Sequence, residues 1–224
     1  MGAKIEICYL SYDNIKEILS NLINVLFQSG VSYNENIQGE YTYWIDSPIW
    51  NFGDSNTISE KCGNIYKTLD DMNDIINLLS NNYSPTLKFG IKLFEREIAL
   101  VVLVCEGEGN WKEVKISIDR YEAYDSLSEI NKEKIVIYLI KLFNKLALYL
   151  KPYYGICATE LMGLAPSPEK LCIEKDTLGD LNYFSNDLVS KINLKIYESE
   201  YKIKKLTDGS VILVKQYGLF NLGL

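Results

Sequence analysis

The stretch Val101–Asp119, VVLVCEGEGNWKEVKISID, decides how this chain is read. Its apolar opening is followed by Gly107 and Gly109, and then Val114, Ile116 and Ile118 alternate with Lys115, Ser117 and Asp119. A period of two marks a strand with one wet face. A phosphate-cradling loop needs a helix after its glycines, so that amide groups point at the anion. A strand in that place excludes this use. Glu106 and Glu108 would also face the phosphate, and one such contact at about 4 Å costs about 4 kcal/mol at a surface-like dielectric. GEGN is therefore a hairpin link, its glycines supplying positive φ.

Working outward, Leu87, Phe89, Ile91 and Leu93 alternate with Lys88, Gly90 and Lys92, which gives a strand with one wet face. Ile98 to Cys105 is apolar on both faces and is expected at the sheet centre. Lys4 to Leu10 is a further strand. Asp13 is placed to cap a helix whose apolar residues run from Ile15 to Leu26, and Gly30 closes it. A second helix is expected from about Ile65 to Leu79, with Asp70, Asp71 and Asp74 outward. Asn131 is expected to cap a long helix to Leu150, apolar almost all round and so the most buried one, stopped by Pro152. Tyr154 to Thr159 forms a short strand, a short segment covers Asn182 to Ile192, and Asp208-Gly209 joins strands Tyr201 to Leu206 and Val211 to Tyr217.

These elements predict an α+β fold with a mixed, largely antiparallel sheet and helices packed on one face. Residues 1–224 read as one body. The element order from Lys4 nearly repeats from Lys112, which also admits two pseudo-duplicated halves, 1–110 and 111–224.

Composition narrows the function. The chain has 224 residues, 47% hydrophobic and 24% charged, as in a folded globule. Its net charge of −7 and only two arginines, Arg96 and Arg120, argue against nucleic acid. Such a charge favours a partner with a basic surface. Cys8, Cys62, Cys105, Cys157 and Cys172 are odd in number and scattered, several inside apolar strand patterns, and read as buried reduced thiols in a cytoplasmic protein. The start, MGAKIEICYL, carries no secretory pattern, and Lys141, Asn144 and Lys145 break the longest apolar helix, so no membrane insertion is expected.

There is no histidine, which removes the commonest general base and most zinc sites. No CxxC pair occurs. No catalytic residue, metal or cofactor is therefore expected. The alternative is a metal- or carboxylate-dependent enzyme using Asp46, Asp54 or Glu160 from loops.

The most informative segment is Tyr41–Asn56, YTYWIDSPIWNFGDSN. Its aromatics either fold back over the core or stay at the surface as anchors for another protein. In the second reading Tyr43, Trp44, Trp50 and Phe52 bind the partner, with Asp46 and Asp54 as an acidic rim. Tyr153 and Tyr154 of KPYYGICATE are further candidates, weighed against ordinary strand packing. A structural subunit or homodimer would bury the same aromatics against a second copy.

Three segments, KPYYGICATE, NYFSNDLVSKI and LTDGSVILVKQYG, together resemble the closing third of immunity-protein families from bacterial polymorphic-toxin systems, over about residues 151–217. In those families a Tyr-Gly strand, a short helix and an Asp-Gly hairpin follow in that order. The resemblance implies a small cytoplasmic α+β protein that binds and blocks a toxin rather than a catalyst.

Overall fold

The computed structural model describes residues 3–33, 39–45, 60–65, 71–94, 96–106, 110–159 and 178–220. Its strands are β1 (Lys4–Ser11), β2 (Val31–Ser32), β3 (Glu40–Trp44), β4 (Glu60–Asn64), β5 (Tyr83–Leu93) and β6 (Arg96–Glu106), then β7 (Lys112–Asp119), β8 (Tyr154–Thr159), β9 (Leu181–Phe184), β10 (Tyr201–Lys205) and β11 (Val211–Lys215). They form one 11-stranded sheet in the order β10-β11-β9-β8-β1-β7-β6-β5-β3-β4, with β2 beside the far half of β5. Every described pairing is antiparallel, so the fold is α+β without the parallel component that a mixed sheet would carry.

Register sorts the side chains. Ile7 faces Ile116 on one side and Cys157 on the other, and Ile116 faces Val102, which faces Leu87. That apolar face is covered by α1 (Ile15–Phe27), α2 (Met72–Ser80) and α3 (Glu129–Leu150), whose inner residues join one core with it. The opposite face is covered differently. At the β8-β9-β11 end, α4 (Asn186–Val189) and a 3-10 turn at Leu194–Tyr197 pack under Leu10, Tyr154, Ile156, Phe184 and Leu213 as a second core. Helical cover is thus not confined to one face.

Several expected boundaries shift for local reasons. Asn14, not Asp13, caps α1: its side chain accepts the Glu17 N–H at 3.0 Å, while the Asp13 N–H donates to Ser11 Oγ. Both residue types cap well, and the apolar period does not choose between neighbours. Gly30 closes the helix with φ +88. Ile65 is helical as expected, residues 66–70 lie outside the described residues, and Met72–Ser80 runs as α2 behind an Asp71 cap, after the strand Glu60–Asn64 that pairs with β3. Helix α3 starts at Glu129 after Ser128, ahead of Asn131, since its first turn is wet and Ile130 is 70% exposed. This helix is not buried all round either. Ile137 and Leu148 stand on the same outer stripe as Lys141, exposed.

Strand β6 also differs from expectation. Ile98, Leu100, Val102 and Val104 are buried under the helices, but Ala99, Val101, Leu103 and Cys105 are only half-buried. Its position well inside the sheet is as expected, yet Val101 lies between Lys88 and Ser117 in register, on a face with polar neighbours. The 106–112 link is indeed a hairpin, with Glu106 opposite Lys112; Gly107 and Gly109 lie outside the described residues. Asp208-Gly209 likewise turns β10 into β11, Gly209 taking φ +87.

From the centre outward, one wing runs β8, β9, β11, β10 and the other β6, β5, β3, β4. The antiparallel pair next to the centre is β8-β9 in one wing and β6-β5 in the other.

Candidate functional site

The antiparallel register brings the start of β5, the ends of β3, β6 and β1 and the starts of β7 and β8 to one end of the sheet. Trp44 faces Tyr83, Glu106 faces Lys112, Lys112 faces Ser11, and Leu10 faces Tyr154. Two aromatic groups stand on this rim.

The first is built on the β3–β5 ladder. Tyr43 stacks on Tyr41 with centroids 6.5 Å apart and is half-buried against the main core. A register shift between Thr42 and Trp44 re-aims the end of β3, as an irregular ladder does. Trp44 is half-buried there, beside the exposed Ile45 and Tyr83. The second group forms where Tyr12, just past β1, meets Tyr153, just before β8, edge to face at 5.8 Å. Lys191 Nζ lies 5.4 Å from the Tyr153 ring centroid and donates to its hydroxyl at 3.3 Å. Backbone bonds fix Tyr153, its N–H donating to Leu10 O and its carbonyl accepting from Ser185.

From β3 to β8 is five strand steps, roughly 24 Å at about 4.8 Å per step. That separation fits within a standard protein interface of about 800 Å² per partner. An ion pair, Glu106–Lys112 at 3.5 Å, lies between the two groups.

The candidates from the sequence divide on this frame. Tyr43, Trp44 and Tyr153 reach the rim with part of their surface free. Tyr154 has no exposed surface and packs in the second core, so strand packing describes it. Burial pushes its phenol well up. Asp46, Trp50, Phe52, Asp54 and Glu160 lie outside the described residues. Sequence reasoning missed Tyr12, Ile45 and Tyr83. Each sits at the end of an element, where alternation has stopped and no period points outward.

Chemistry on the half-covered face has a defined form. Glu113 is 3% exposed and accepts a hydrogen bond from Cys8 Sγ at 3.3 Å. Burial, followed by the Glu113 charge, holds the Cys8 thiol well above its ordinary range, so it remains a protonated donor. Burial likewise pushes Cys105 to about 11. Neither is poised as a nucleophile, which needs a thiolate near neutral pH. Glu6 pairs with Lys115 at 3.9 Å. Glu6 faces Ser117, four residues along β7 from Glu113, so their backbone positions lie roughly 13 Å apart on the strand rise. Among the described residues no cluster of three acidic or thiol side chains is arranged to hold a metal ion. No described helix is long and apolar enough to cross a membrane.

No protein-family model and no curated protein matches the sequence. Among solved structures, the chain is similar to the Pseudomonas aeruginosa T6SS protein PA0821, with a TM-score of 0.52 over 97% of this chain and 67% of that one. Identity over that alignment is 9%, so the likeness is one of fold.

Proposed function

We propose that this chain is a non-enzymatic protein-binding protein, an inhibitor of a toxin or other conflict-system effector, which docks its partner on the aromatic rim of the sheet. The observation that carries the reading is the convergence of Trp44, Ile45 and Tyr83 with Tyr12 and Tyr153 at one sheet end, spaced for a single interface. Large aromatics with part of their surface free are the residue types that dominate binding energy. The fold likeness to a T6SS protein and the immunity-type order of the closing third both support a role in such conflict. A cytoplasmic setting belongs to the same proposal, and the free thiols Cys8, Cys62, Cys105 and Cys157 fit it.

The test is affinity for a partner captured from the source cell and then purified, measured by calorimetry with Trp44→Ala, Tyr83→Ala and Tyr12→Ala. Loss of an anchoring aromatic costs about 2 kcal/mol or more, a roughly 30-fold rise in Kd. Unchanged affinity in all three variants would remove the rim from the interface.

A further inference from the structure

A groove of about 460 Å³ opens between the C-terminal half of α3 and the β10–β11 hairpin. Its accessible apolar surface comes from Leu148, which is 67% exposed, and the half-buried Leu206, above a buried floor of Ala147 and Ile212. Lys151, Lys204 and Lys205 border it together with Asp208, a local balance of +3 − 1 = +2 on a chain whose net charge is −7. None of the three lysines has an ion pair among the described residues. The Asp208 carboxylate is engaged by the Ser210 N–H and hydroxyl, and these bonds hold it below the usual carboxylate range.

Edge strands carry lysines to discourage pairing with other chains, which accounts for Lys204 and Lys205 taken alone. It does not account for Lys151, which reaches the same groove from the end of a helix, or for Leu148 lying bare between them. A fifth residue adds a polar requirement. Asn144 lines the groove, its Oδ1 is buried without a donor, and its amide makes no hydrogen bond among the described residues. A buried acceptor left unmatched is costly, so the amide gains by turning to any donor that enters.

We propose that this groove binds an acidic segment of another protein, with an apolar residue seated on Leu148 and Leu206, carboxylates at Lys151, Lys204 and Lys205, and a backbone amide of the segment paired with Asn144. Charge complementarity selects the occupant: the three unpaired lysines call for carboxylates on a segment that enters the groove. The concave form and the unpaired amide favour a peptide over a lipid surface, which offers no backbone donors. The contact from Asn144 to Lys151 spans seven residues of helix, about 10 Å, the length of three or four extended residues. This surface is distinct from the aromatic rim.

The probe is a fluorescein-labelled peptide of alternating glutamate and leucine, titrated with the full chain and read by fluorescence anisotropy, beside a lysine–leucine peptide of equal length. Saturable binding of the acidic peptide alone is expected, weakened at least tenfold by Lys204→Glu with Lys205→Glu, and several-fold by Leu148→Ser and by Asn144→Leu. Lys16→Glu with Lys92→Glu, an equal charge change at two exposed lysines outside the groove, leaves it within twofold. Absence of saturable binding overturns the proposal. So does equal weakening by Lys16→Glu with Lys92→Glu, which reduces the effect to net charge. Flotation with phosphatidylserine vesicles that depends on the same lysines, without peptide binding, assigns the groove to membranes instead, and a lysine-dependent dimer in sedimentation assigns it to a second copy. Each variant is first checked by circular dichroism melting, and Leu148 and the lysines, being exposed, keep the test open if Asn144→Leu unfolds. Rim variants such as Trp44→Ala leave peptide binding unchanged, so failure here and failure of the rim interface are separately visible.

Discussion

Gly155 in β8 sits directly opposite Tyr9 of β1 in the register. Tyr9 is fully buried, stacks on Phe143 with centroids 5.2 Å apart, and donates its hydroxyl to the Phe143 carbonyl at 2.6 Å. A methyl group on Gly155 would fall inside the contact distance of the Tyr9 ring carbons Cδ1 and Cε1, with Phe143 Cζ at 3.4 Å behind. The ring has no free space to enter, because β1 lies between β7 and β8 and its helix-facing side is covered. Overpacking of this kind costs about 1–3 kcal/mol, and a displaced hydroxyl about 1 more. Replacing glycine in a strand returns about 0.5–1 kcal/mol. Gly155→Ala is therefore expected to destabilise by about 2 kcal/mol, which for a chain of this size lowers Tm by roughly 4–8 °C. Urea unfolding with Tyr9→Leu in a double-mutant cycle is the deciding assay. Leucine lacks the ring carbons that meet the methyl, so the double variant should lose about 1–2 kcal/mol less than the sum of the singles. Additive losses, or a Gly155→Ala protein as stable as the parent, would show that the Tyr9 ring does not require the glycine.

Further outcomes follow from the same contacts. Asn14→Ala should lower Tm by roughly 2–4 °C, the usual loss of about 1 kcal/mol for an N-cap, while Asp13→Ala leaves it nearly unchanged in the same melt. Under native conditions, iodoacetamide followed by peptide mass mapping should mark the exposed Cys62 within minutes and spare the buried Cys8 and Cys157 until denaturant is added; rapid Cys8 labelling would contradict its place beside Glu113. Stability should fall at high pH. Burial raises Cys105 to about 11 and Tyr138 and Tyr201 to about 12, so the folded state holds protons that the unfolded chain releases from about pH 8.5 for the thiol and about pH 10 for the phenols. The stabilisation is complete below about pH 8.5 and declines as pH climbs towards 11–12. Urea midpoints at pH 8, 9.5 and 11 check this, and a flat series would refute it.

Much of the fold is legible because period-two strands announce themselves. Leu87 to Leu93 and Val114 to Ile118 alternate in sequence and bury their expected face. Asp208-Gly209 makes the turn that its residue types demand. Other features depend on contacts that sequence order does not carry. A strand apolar on both faces, such as β6, reads the same whether helices cover one side or two. The outer stripe of α3 holds Ile137 and Leu148, and no pattern within the helix says that these two remain in water while Leu139 and Leu146 do not. Adjacent polar residues such as Asp13 and Asn14 compete as caps on equal terms, and only the turn at Ser11 decides between them.

The rim illustrates the same limit for function. Tyr12, Trp44, Tyr83 and Tyr153 are spread over 142 positions of chain, and nothing in sequence ties the four to one another. Antiparallel pairing brings them to one sheet end, since each reversal returns the chain to it. The tyrosine pair of KPYYGICATE shows the selection at work. Tyr154 lies inside the second core, while Tyr153, half-buried against the edge of that same core, keeps part of its surface free beside Tyr12. A partner that reads this surface has to recognise a shape assembled from four strands, and it will therefore be lost on unfolding and not reproduced by any single peptide cut from the chain.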